Sequence, residues 1–150
     1  LSFLVHAWVL ARQRPDQAWE YLLTALHSDV GDIQGGTTAE GIHLGLMAGT
    51  VDLVQRGLTG LQARDGKLYF DPSLVGSLKR IATALQVFGH WIMLEATPES
   101  LTLEFDIRWQ RRADRIEVDI AGRTELFEPG VRKTVPLKRP TVVAIDAAGD

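Results

Sequence analysis

The apolar pattern of this chain changes period once, and that change limits the fold more than any other feature of the sequence. Up to about residue 57, apolar residues recur at helical spacing. Beyond about residue 69 they come in short alternating runs separated by turn residues. A chain written this way places helices first and strands second, with the boundary near residues 57–69. No internal repeat or low-complexity segment interrupts the scheme.

Residues 2–13 carry Phe3, Leu4, Val5, Ala7, Trp8, Val9, Leu10 and Ala11. Apolar nearly all round, they predict a buried helix with Ser2 as its cap. Pro15 cannot continue that helix and opens a second one over 15–27, with Ala18, Trp19, Leu22, Leu23, Ala25 and Leu26 as its apolar stripe. A glycine-rich loop follows. Thr37 and Glu40 then read as a capping box, the hydroxyl and the carboxylate each satisfying a free amide at a helix start. The spacing predicts a third helix over 37–56, stopped by Gly57 in the left-handed conformation. Gly41, Gly45 and Gly49 recur in it every four residues, each at a cost of roughly 1 kcal/mol relative to alanine. That expense predicts a backbone pressed against another helix or a ligand. These helices need more cover than they supply to one another, and the pattern is already under way at Leu1, so the chain reads as a piece of a longer protein.

The second half predicts strands over 67–70, 81–88, 91–96, 100–107, 115–120, 124–127, 131–135 and 141–145. Leu101, Leu103, Phe105 and Ile107 alternate with Thr102, Glu104, Asp106 and Arg108, one face in and one out. Short strands at even spacing predict an antiparallel sandwich or barrel.

Several chemistries lose support at this level. A net charge of −3 argues against a nucleic-acid or anionic-membrane footprint, and the absence of cysteine excludes disulfides and thiolate metal sites. No apolar run is long enough to span a bilayer. The glycines form neither dinucleotide nor P-loop fingerprints, no His/carboxylate spacing marks a metal, and no carboxylate pair is set for glycoside chemistry. Arg108, Arg111, Arg112 and Arg115 read as a solvated loop, Asp29 and Asp32 as turn residues, and His6, His27 and His90 as structural. His43 carries two readings. In the third helix's first turns, beside a glycine loop, it can add a donor to an anion site; equally it can be a buried histidine satisfied by a neighbour.

The stretch Gly36-Thr-Thr-Ala-Glu-Gly-Ile-His-Leu-Gly-Leu-Met-Ala-Gly49 resembles a signature of glycoside hydrolase family 65, which includes trehalose, maltose and kojibiose phosphorylases and acid trehalases. The flanks agree: Leu1-Ser2 and Val5-His6-Ala7 before it, Gly57-Leu-Thr-Gly-Leu61 and Asp65-Gly-Lys-Leu-Tyr-Phe-Asp-Pro72 after it. Leu46 and Leu58 are small departures, and neither removes a polar group. The likeness is strong over the first half and one of kind over the second.

The resemblance implies a fold. Residues 1–60 would be the last helices of an (α/α)6 catalytic barrel, and 61–150 a C-terminal antiparallel β-sandwich. It also implies an activity: inverting phosphorolysis of trehalose, maltose or kojibiose to β-glucose 1-phosphate and glucose. An upstream glutamate acts as the acid, and inorganic phosphate is a co-substrate rather than a cofactor. His43 maps onto the family's phosphate contact, and Ser2 onto the trailing edge of a serine motif that shares the task; Thr37 and Glu40 remain the structural cap. The acid and the sugar-binding residues would lie upstream, so the chain alone is expected to be inactive. The expected partners are an α-glucoside disaccharide and phosphate, with a homodimer allowed for the parent, no nucleic acid, no membrane, no metal and a cytoplasmic setting. Two alternatives stand beside this reading: a fragment of a family hydrolase such as a trehalase, and a non-catalytic carbohydrate-binding or interaction module.

Overall fold

A computed structural model describes residues 2–32, 35–36, 39, 41–75, 77–107 and 115–137, with Ser2 described by its backbone alone. Helices α1 (Ser2–Leu10), α2 (Pro15–His27) and α3 (Leu44–Asp52) come first. Eight strands follow: β1 (Gln62–Arg64), β2 (Lys67–Phe70), β3 (Ile81–Val87), β4 (His90–Ala96), β5 (Ser100–Phe105), β6 (Ile116–Ile120), β7 (Arg123–Phe127) and β8 (Lys133–Pro136). Helices first and strands second is therefore the arrangement observed. The region expected to form a strand over 141–145 and the arginine run 108–112 lie outside the described residues.

α2 spans the predicted residues, with Pro15 in its first turn, where a missing amide costs nothing. α1 differs from the helix expected to be buried all round. Leu4 and Ala7, with Ala11 in the turn after the helix, are buried, whereas Val5 and Val9 are 55% and 65% exposed. With α2 as its main neighbour, and α3 and the turn that follows it beside it, α1 has cover on one side only. Leu4, Ala7, Leu22, Ala25, Leu46 and Leu53 form the core among the helices, with Trp8, Trp19 and Met47 packed against it.

The third helix is shorter than expected. It begins at Leu44 with His43 as N-cap, and Gly41, at φ +105°, stands in a conformation no helix allows. Thr37 and Glu40 lie outside the described residues. The four-residue glycine spacing thus has three separate causes rather than one. Gly41 serves the loop; Gly45 has open space around it; Gly49 is the one pressed close, because a Cβ there would run into the Leu4 side chain.

α3 continues as a π-helical turn, Leu53–Leu58, and passes through Gly57 without stopping. A side chain at Gly57 would meet Leu53 Cδ1 at 2.6 Å and the Trp8 ring at 3.4 Å, so this glycine makes room for Leu53, with Trp8 beside it, rather than ending a helix. Arg56 lies over the same ring, 5.6 Å from its centroid, and is held by Asp52 one turn back. The left-handed residue after the turn is Gly60, at φ +67°. There Arg12 reaches across from the end of α1 to Asp71 just after β2, donating to its carboxylate at 2.5 Å and its carbonyl at 2.7 Å. A second apolar cluster, Ala11, Ala18, Leu58, Val75 and Ile81, joins helices to sheet beside this clasp.

The strands form two four-stranded sheets, β1-β2-β6-β7 and β3-β4-β5-β8. The second is antiparallel throughout. The first corrects the expectation of a purely antiparallel architecture, because β2 and β6 run parallel, Leu68 facing Val118 and Phe70 facing Ile120. Short β1 went unpredicted: all three of its residues are exposed, so no alternation marks it. Three hairpins turn on adjacent residues with positive φ, Asp65-Gly66, Phe88-Gly89 and Ala121-Gly122, the geometry whose twist matches two-residue hairpins. Phe70, Phe105 and Phe127 are fully buried in a core that draws on both sheets.

Candidate functional site

The loop from α2 to α3 brings together the sequence-predicted residues that can be placed. Its entry is fixed by the His27 carbonyl, which accepts from the amides of Val30 and Gly31 at 3.2 and 2.8 Å. Asp32 is a turn residue, as its type predicts: at φ +46° it accepts the Gly36 amide on both carboxylate oxygens, at 2.8 and 2.9 Å. The loop ends at His43, whose carbonyl accepts from Leu46 and Met47 and so starts the α3 ladder. Among the described residues no side chain caps that start, and the His43 side chain does not; the first amides of a helix so placed can meet an anion.

Asp29 lies within this turn, but its carboxylate does not make the local turn bond expected of it. Its carboxylate, 7% exposed, reaches across the loop and takes two bonds from one residue. The His43 amide donates to Oδ2 at 2.8 Å, and the His43 ring meets Oδ1 through Nδ1 at 2.6 Å. The ring's hydrogen bond, followed by the backbone bond, holds the Asp29 carboxyl below its ordinary range against the opposing effect of desolvation. An ionised carboxylate only accepts, so Nδ1 carries the proton. Nε2 is then the ring atom able to meet a ligand, on a side chain that is 43% exposed. His43 is thus neither of its two sequence readings in pure form. It has a satisfied partner on one nitrogen and an accessible ring.

One signal in the sequence pointed to Asp29. A carboxylate just beyond a helix C-terminus faces the negative end of the dipole, so its presence there calls for another partner. The other sequence-predicted residues do not join the site by any described contact. The Ser2 side chain, Thr37 and Glu40 lie outside the described residues. His6 stacks on Tyr21 at 5.3 Å, and His90 sits edge-on to Phe105 at 6.1 Å in the second sheet. Among the described residues no group of three potential ligands could hold a metal ion, and no helix is long and apolar enough to cross a membrane.

A second charged cluster lies on the outer face of β3-β4-β5. Glu95 receives Arg80 at 2.9 Å and Arg132 at 3.0 Å, beside a shallow cleft of about 360 Å³ also lined by Met93, Thr102 and Glu104. Arg80 first, and Arg132 after it, hold the Glu95 carboxyl below its ordinary range.

Comparison with known proteins agrees on one family. The profile of the glycosyl hydrolase family 65 central catalytic domain matches residues 1–52, and that of the family's C-terminal domain matches residues 61–125. An uncharacterized glycosyl hydrolase of Mycobacterium tuberculosis, present in two strains, is 40% identical over 130 residues, covering 87% of this chain and 10% of the relative. The trehalose 6-phosphate phosphorylase of Lactococcus lactis is 35% identical over 107 residues, covering 65% of this chain and 14% of the relative. A solved structure from the human microbiome, assigned as a kojibiose phosphorylase, superposes with a TM-score of 0.76 at 13% identity; it covers 93% of this chain and 20% of its own. That likeness is one of fold. The chain spans about a tenth of the length of the mycobacterial relatives it matches. With two domain profiles of one family matching in chain order, the chain belongs to glycosyl hydrolase family 65.

Proposed function

We propose that the chain forms the phosphate side of the active site in a larger inverting α-glucoside phosphorylase. The observation that carries this reading is the bond from Asp29 to His43 at the start of α3, with His43 inside the 36–49 stretch that resembles the family signature. In this reading residues 1–60 are the last helices of an (α/α)6 barrel and 61–150 a C-terminal β-sandwich. His43 and the first amides of α3 hold inorganic phosphate, with Ser2 assisting. Phosphate attacks the anomeric carbon while an upstream glutamate protonates the glycosidic oxygen. Because phosphate is itself the nucleophile in this scheme, no second carboxylate is needed to activate water.

The parent protein, assayed on trehalose, trehalose 6-phosphate, maltose and kojibiose with and without phosphate, tests the proposal. Cleavage that requires phosphate and yields a glucose phosphate supports it. The mycobacterial relatives' naming as glycosyl hydrolases supports a second reading, a hydrolase, which predicts equal glucose release without phosphate and no sugar phosphate. In either case the 150-residue chain alone is expected to turn over none of these sugars.

A further inference from the structure

We propose that Asp29 is a positioning residue: it fixes the tautomer and orientation of His43 so that Nε2 is the ring atom presented to phosphate. This rests on the reading of His43 as a phosphate contact. The geometry is specific. Both oxygens of one nearly buried carboxylate are spent on a single residue, one on its amide and one on its ring. Backbone and ring are therefore held together, and rotation about the side chain breaks the 2.6 Å bond to Nδ1. The pair also closes the loop, since Asp29 follows α2 and His43 opens α3. With Nδ1–H committed to Asp29, Nε2 accepts from a phosphate hydroxyl when the ring is neutral and donates to a phosphate oxygen when the ring is protonated. A carboxylate placed behind a ligand-binding histidine plays the same part in many metal sites, where its loss costs about 10- to 100-fold in affinity.

Three variants separate this role from a structural one. D29N keeps an acceptor for the His43 amide but lets the ring adopt either tautomer. H43N keeps a donor near the position of Nδ1 and removes Nε2. H43Q offers a donor near the position of Nε2 without Nδ1. In the parent enzyme, D29N is expected to raise KM for phosphate about 10- to 100-fold, with a much smaller change in kcat at saturating phosphate. H43N is expected to raise it at least as far, and H43Q to recover part of the loss. Nitrogen-15 NMR of the parent enzyme with labelled histidine reads the tautomer directly: the wild type should show protonated Nδ1 at His43, and D29N a mixture. A wild-type ring protonated on Nε2 alone overturns the proposal even if D29N fails to fold. Unchanged phosphate KM in D29N beside a raised KM in H43N also overturns it and leaves His43 as a phosphate contact. Unchanged KM in both variants overturns the role of His43 itself.

Discussion

Asp29 and Glu95 are the two carboxylates whose environments differ most instructively. Asp29 is held by a histidine within the loop at the candidate site; Glu95 is held by two arginines on a sheet surface. Both have folded-state pKa values below their ordinary ones. A depressed carboxylate contributes stability that is present above its unfolded pKa, about 4, and is lost as pH falls through the folded value. Wild-type thermal stability should therefore drop as pH is lowered below about 4. The differences between wild type and D29N, and between wild type and E95Q, should be largest near pH 7 and shrink on acidification. Melting curves at several pH values check this; differences that grow in acid would contradict it. Arg80 and Arg132 are largely exposed, so the Glu95 effect should weaken in high salt, whereas the covered Asp29 carboxylate should keep most of its effect.

At the scale of the element, α3 shows how similar sequence symbols stand for different physics. Gly49 lies against Leu4, so G49A forces a packed leucine aside; the overpacking outweighs the helix propensity gained, for a net loss of about 1–2 kcal/mol. Gly45 has nothing within 4 Å, and G45A in this chain should be neutral or stabilising by up to about 1 kcal/mol. Chemical denaturation of the two variants checks the opposite signs. This element also shows where the sequence was legible and where it was not. Pro15 and a wide stripe marked α2 to the residue, and strict alternation marked β5 and β6 closely, because burial of one face writes itself into the pattern. The start of α3 was misread because a cap signature competes with a chain that needs Gly41 at positive φ, and only the three-dimensional path of the loop decides between them. The parallel pairing of β2 with β6 left no local trace, since alternation records which face is buried and not the direction of the neighbouring strand. At the site, His43 was legible as a residue type in a glycine-rich loop. The pairing was not: the place of Asp29 after α2 marks a carboxylate in need of a partner, but it lies outside any helical or strand spacing from His43.

For the whole molecule, the exposed apolar side chains of the helices and of the loop between α2 and α3 matter most. Val5, Val9, Leu26, Val30, Ile42, Leu44 and Val51 are each at least 44% exposed. Such surface associates in water, so the isolated chain should self-associate at micromolar concentration, and light scattering that shows a monodisperse monomer would contradict this. If the rest of a helical barrel covers that surface in the parent, G45A should be harmful there despite being harmless here, which makes the same substitution a probe of the missing neighbour. The parallel β2–β6 pair has a consequence in time. The meander β3-β4-β5 is built from sequence neighbours, whereas β2 waits beside an empty edge until the whole meander and the segment after it have been added. Loop closure over that distance is slow compared with forming a hairpin. Pulse-labelled refolding should protect the amides of Leu94, paired to β3, and Glu104, paired to β4, before those of β6, so that the two sheets, equal in strand number, are unequal in the order of their making.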